Sequence, residues 1–96
     1  MMFTGKAAMI TGASVGIGRA CALRMAQEGA CLILLDRRLE TLEALREELL
    51  GQMGTGGSDR LFVRPCDISD EQRVNETVRE AVEKFGRVDI LVNNAA

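Results

Sequence analysis

The sequence predicts an α/β chain built on a doubly wound parallel sheet, with element order βαβαβαβ and strand order 3-2-1-4. Three observations carry this. Short apolar runs alternate with stretches of helical periodicity along the 96 residues. The cluster "TGASVGIG", residues 11 to 18, falls between the first apolar run and the first helical stretch. The third run contains Pro65, which cannot donate to a ladder, so this strand is expected to sit at a sheet edge or to end there; the edge placement gives the order 3-2-1-4.

The elements follow in order. Lys6 to Thr11 reads as a short buried strand. A helix is expected from Gly16 to Glu28, stopped by Gly29. Its small residues Ala20, Cys21, Ala22 and Ala26 allow a close approach to a sheet. Ala30 to Leu35 is continuously apolar, as in a strand covered on both faces. Leu39, Leu42, Leu45 and Leu49 recur at spacings of three and four and form one stripe of a second helix. Residues 54 to 58, "GTGGS", read as a flexible connector, and Leu61 to Cys66 as the third strand. Ser69 with Gln72 has the spacing of a capping box for a third helix. That helix buries Val74, Val78, Ala81 and Phe85 and ends at Gly86. Val88 to Val92 is the fourth strand. It reads as an interior strand with nothing to cover its outer edge. Residues 1–96 are therefore expected to be the N-terminal portion of a single larger domain, and to be marginally stable or aggregation-prone alone.

Composition excludes several classes of function. The chain is 47% apolar and 27% charged, which suits a globular domain and not a disordered one. The net charge is −2 with signs interspersed, so no nucleic-acid partner is expected. No apolar run is long enough to cross a membrane, and the N-terminus reads as part of the fold, so a cytoplasmic location is expected. The three cysteines lack C-x-x-C spacing and there is no histidine, so no metal site is expected.

The glycine cluster has the form G-x-x-x-G-x-G at Gly12, Gly16 and Gly18. Gly12 allows a sharp exit from the strand, Gly16 a close backbone approach to a pyrophosphate, and Gly18 close helix packing. The helix start offers unpaired N–H donors, and Ser14 offers a hydroxyl. The same pattern also serves a tight turn that binds nothing. Asp36 ends the second strand, about 20 residues further on, where a carboxylate accepts both hydroxyls of an adenosine ribose. Its plainer role is to cap the next helix. A carboxylate there repels a 2′-phosphate and favours NAD over NADP, whereas Arg37 and Arg38 pull the other way. Asp67 follows the third strand, either within reach of an adenine amino group or simply favoured at a helix N-terminus. The amides of Asn93 and Asn94 either tie strand ends together or contact a ligand.

These residues resemble the N-terminal part of the short-chain dehydrogenase/reductase family. The matching segments are "TGASVGIG" at 11 to 18, "DR" at 36 and 37, "CDIS" at 66 to 69 and "VDILVNNAA" at 88 to 96, at family spacing. The resemblance implies a partial Rossmann-type fold and a nicotinamide dinucleotide cofactor. It implies that Gly12, Ser14, Gly16, Ile17 and Gly18 line the pyrophosphate and nicotinamide-ribose region. Asp36 would hold the adenine ribose, Asp67 and Ile68 would flank the adenine, and Asn94 and Ala95 would contact the adenosine half. Asn93 would brace the central strand. Ala96 stands where the family's N-N-A-G motif has its glycine.

The family's catalytic Ser, Tyr and Lys lie beyond this motif. The 96 residues contain no tyrosine, and Lys6 and Lys84 do not match the catalytic lysine. No catalytic residue is therefore assigned. A full-length member would reduce or oxidise a small alcohol or carbonyl substrate and is expected to form a homo-oligomer. The alternative is a dinucleotide-binding module that catalyses nothing. A methyltransferase-type domain also pairs a Gly-rich turn with an acid after the second strand, but "NNAA" and the glycine spacing disfavour it.

Overall fold

Four parallel strands form one sheet in the order β3-β2-β1-β4, as the sequence predicts. The structure is a computed structural model that describes residues 2–94. The strands are β1 (Ala7–Thr11), β2 (Cys31–Asp36), β3 (Leu61–Pro65) and β4 (Ile90–Asn93). The helices are α1 (Gly16–Gln27), α2 (Leu39–Met53) and α3 (Glu71–Phe85). β1 pairs with both β2 and β4, and Ile10 lies between Leu34 and Val92.

Side chains alternate across the sheet and build two apolar layers. Ala8, Ile10, Leu32 and Leu34 face α1 and α2, meeting Ala22, Ala26, Leu42, Leu45 and Leu49. Met9, Ile33, Leu35 and Phe62 face α3, meeting Ala81, Val74, Val78 and Phe85. This is why the first two strands read as unbroken apolar runs. Ala22 and Ala26 let α1 lie close to the sheet, whereas Ala20 faces solvent.

Several local expectations are corrected. Leu39 is 48% exposed and does not join the α2 stripe. It is the first residue of the helix and shares an open groove with Val63 and Pro65 of the edge strand. Ser69 is not the cap of α3. Its backbone N–H and hydroxyl both donate to Asp67 Oδ1, at 2.9 and 2.8 Å. Asp70 caps instead, accepting from the Arg73 N–H at 3.1 Å. The expected flexible connector runs into a 3₁₀ turn, Gly57–Arg60, held to α3 by Lys84 Nζ, which donates to the Ser58 and Leu61 carbonyls. Val88 lies ahead of β4. Asp89 there accepts from the Ala7 N–H through Oδ2, at 2.9 Å, and returns its own N–H to the Ala7 carbonyl.

Candidate functional site

β1 is the point at which the chain reverses its direction of travel across the sheet, since β2 and β3 lie on one side and β4 on the other. Ligands of doubly wound sheets bind beyond the strand C-termini at such a point. A crevice of about 300 Å³ opens there. Gly12 and Val15 of the β1–α1 turn line it, together with Asp36, Arg37 and Arg38 after β2. Cys66, Asp67 and Ile68 after β3, and Asn94 after β4, complete it.

The turn is shaped by its glycines. Gly12 and Gly16 take φ of 62° and 56°, the left-handed region that other residues adopt at a cost. Among the described residues, a Cβ on Gly16 would have no atom within 4 Å, so the space beside it is open. A Cβ on Gly18 would lie 2.5 Å from the Gly12 carbonyl oxygen and 2.8 Å from Asn94 Nδ2. Gly16 thus keeps a backbone face clear, and Gly18 permits contact between α1 and the turn. α1 has no side-chain cap, and its first turn carries no acidic residue.

Asp36 is the most heavily engaged side chain of the site. Oδ2 accepts from the Ser14 N–H at 3.1 Å, the Ser14 hydroxyl at 2.6 Å and Arg38 Nη2 at 3.3 Å. Oδ1 accepts from the Arg38 N–H at 3.0 Å and Arg38 Nε at 3.1 Å. Burial pushes the carboxyl up, but the hydrogen bonds from Arg38 and Ser14 outweigh it and hold it at about 2. Asp36 does not cap α2, whose N-cap, Arg38, has no side-chain capping bond. Thr41 Oγ1 lies 2.8 Å from Ser14 Oγ and buttresses it from the first turn of α2.

The other two strand ends are also tied. The Ser69 backbone N–H and hydroxyl lower the Asp67 carboxyl, with a smaller contribution from the Arg37 charge. Asn94 Nδ2 donates to the Gly12 carbonyl at 3.2 Å, and the Asn94 N–H to Thr11 Oγ1 at 3.1 Å. The Thr11 hydroxyl lies 3.1 Å from Asn93 Oδ1, fastening β4 to β1. Both asparagines therefore join strand ends, and Asn94 also faces the crevice.

The sequence-derived residues separate into three groups. Gly12, Asp36, Arg37, Asp67, Ile68 and Asn94 meet in the crevice. Ser14 is buried behind it, Gly18 packs inward, and Gly16 and Ile17 sit exposed at the head of α1. Ala95 lies outside the described residues. Sequence reasoning missed Thr41, Cys66 and Val15. Thr41 left one faint signal, a β-branched hydroxyl residue in the first turn of a Leu/Glu-rich helix.

The site offers a carboxylate on a fixed mount, open backbone at a helix start, two arginines and an apolar shelf. Both of its acids are held in the ionised form at neutral pH. These groups suit a polar, partly anionic ligand. The fold is a Rossmann-type α/β sheet. The chain belongs to the short-chain dehydrogenase family, which it matches over residues 6–96.

Its relatives cover the same ground. The chain is 40% identical over 95 residues to the 3-oxoacyl-[acyl-carrier-protein] reductase FabG of Thermotoga maritima, covering 99% of this chain and 37% of that protein. It is 42% identical over 95 residues to the human 15-hydroxyprostaglandin dehydrogenase [NAD(+)], covering 99% of this chain and 35% of that protein. The structure of the C-domain of a bacterial malonyl-CoA reductase with NADP superposes at a TM-score of 0.90 and 30% identity, covering 99% of this chain and 15% of that one. The chain thus spans about a third of the length of the curated relatives it matches. Among the described residues, no helix is long and apolar enough to cross a membrane.

Proposed function

We propose that the crevice holds the adenosine and pyrophosphate half of a nicotinamide dinucleotide, NAD in preference to NADP. Residues 1–96 would then form the N-terminal portion of one dinucleotide-binding domain. The observation that carries this is the fixed Asp36 carboxylate at the β2 terminus, facing the same crevice as the Gly-rich turn. Asp36 would accept the adenine-ribose hydroxyls. The turn from Gly12 to Gly18, with Ser14 and Ile17, would receive the pyrophosphate and the adjoining ribose. Asp67 and Ile68 would border the adenine, and Asn94 and Ala95 the adenosine. Arg37 would lie at the rim. The structure fits such a group, because the space beside Gly16 is clear and only a side chain there would fill it. When bound, the dinucleotide supplies hydride transfer; this chain's residues bind it, orient it and repel a 2′-phosphate.

In a protein that also carries the family's Ser, Tyr and Lys, the reaction would be NAD-dependent interconversion of a small alcohol and carbonyl, in a cytoplasmic homo-oligomer. Calorimetric titration of the chain with NAD, alongside Asp36→Ala, tests the binding claim. Saturable binding that the substitution weakens by about tenfold or more supports it. Equal binding by both proteins rejects Asp36 as the ribose ligand.

A further inference from the structure

We infer that the Arg38 guanidinium is a built-in competitor for the ribose-binding face of Asp36, and that the cofactor must displace it. The inference rests on the dinucleotide reading and adds to it a residue that sets affinity and 2′-phosphate tolerance.

The count of donors points to it. Asp36 accepts five hydrogen bonds on its two oxygens. A carboxylate offers about four lone-pair positions, so it has no room for a diol as it stands. Some donors must leave, and the structure separates fixed donors from a removable one. The Ser14 and Arg38 N–H groups are backbone, set by the β1–α1 turn and the start of α2. The Ser14 hydroxyl is buried and backed by Thr41. The Arg38 side chain is 51% exposed and can move into water without leaving a buried donor unpaired, whereas the Asp36 side chain is 2% exposed.

The stoichiometry also fits. The guanidinium donates one bond to Oδ1 through Nε and one to Oδ2 through Nη2. Two vicinal hydroxyls would replace these one for one. The swap leaves the three fixed donors in place and keeps the carboxylate satisfied. The released guanidinium stays at the crevice rim, which it already lines, where it offsets the repulsion between Asp36 and a 2′-phosphate.

Removing the competitor therefore strengthens NAD binding, opposite to the effect of removing a cation that holds the ligand. The test is calorimetric titration of the full chain and its Arg38→Ala and Arg38→Gln variants with NAD and NADP, each protein checked for native circular dichroism. Gln keeps the stem if Ala fails to fold. A half-exposed ion pair is worth little, so NAD should bind about three- to tenfold more tightly to the variants. NADP should bind about threefold or more weakly, so the two ligands move in opposite directions. Arg38→Lys, which keeps the charge but loses the fork, should retain NADP affinity. NAD affinity that is unchanged or weaker in both Ala and Gln variants overturns the inference alone. A parent chain that binds neither dinucleotide overturns the dinucleotide reading and the inference with it.

Discussion

Ser14 grips Asp36 twice, its backbone N–H at 3.1 Å and its hydroxyl at 2.6 Å from the same carboxylate oxygen. The bond spans 22 residues and joins the Gly-rich turn to the end of β2. One contact thus sets the distance between the turn proposed for the pyrophosphate and the acid proposed for the ribose. Loop geometry and ligand geometry become one constraint.

Asp36→Ala should damage both stability and binding. It strands the buried Ser14 donors and the Arg38 N–H, which costs about 2 kcal/mol of unfolding free energy. NAD affinity should fall by about tenfold or more. Urea denaturation and titration of the same sample measure the two effects. A variant that keeps full stability would show that water replaces the carboxylate.

Acid should remove the same contribution. The folded value of Asp36, about 2, lies below its ordinary 3.8. Its contribution is fully present above about pH 4 and is lost as pH falls toward 2. Allowing for screening at the crevice mouth, it amounts to about 1–2 kcal/mol. Denaturation midpoints between pH 5 and pH 2 should fall less steeply in Asp36→Ala than in the parent chain. Parallel slopes would remove Asp36 from the acid response.

Gly16 and Gly18 should respond differently to alanine. Gly18→Ala drives a Cβ against the Gly12 carbonyl, 2.5 Å away, and costs about 2 kcal/mol through displaced backbone. Gly16→Ala meets only the strain of φ 56°, about 1 kcal/mol. It should still weaken NAD binding, because its methyl enters the space kept for the ligand. Chemical denaturation ranks the stabilities and titration reads the affinities. A Gly16→Ala chain with parental affinity would move the pyrophosphate elsewhere.

Leu91 on β4 is 64% exposed, with Val88 and Val82 also partly bare. Among the described residues no strand pairs with the outer edge of β4. Leu91→Lys should reduce concentration-dependent scattering while changing stability by only about 0.5 kcal/mol. Unchanged scattering would place the association surface elsewhere.

The sheet order was legible because the first two apolar runs have one dominant cause, burial on both faces, and because Pro65 marks the edge. Asp36 was legible through its spacing from Gly12–Gly18. What surrounds it was not. The grip of Ser14 and Arg38 depends on rotamers, and Thr41 reaches Ser14 only after α2 docks. Ser69 was misread because the capping pattern omits rivals: Asp67, two residues away, takes both of its donors. Leu39 matched the stripe by spacing but stands at the helix start, in the open groove beside the edge strand.

The crevice between Gly12, Asp36, Asp67 and Asn94 is the proposed seat of the dinucleotide. The most direct measurement is amide chemical-shift mapping of the ¹⁵N-labelled chain titrated with NAD at neutral pH. The predicted result is saturable shifts concentrated at Gly12, Ser14, Arg38, Asp67, Ile68 and Asn94. Shifts that instead map to the groove at Leu39, Val63 and Arg64, or no shifts at all, would contradict it.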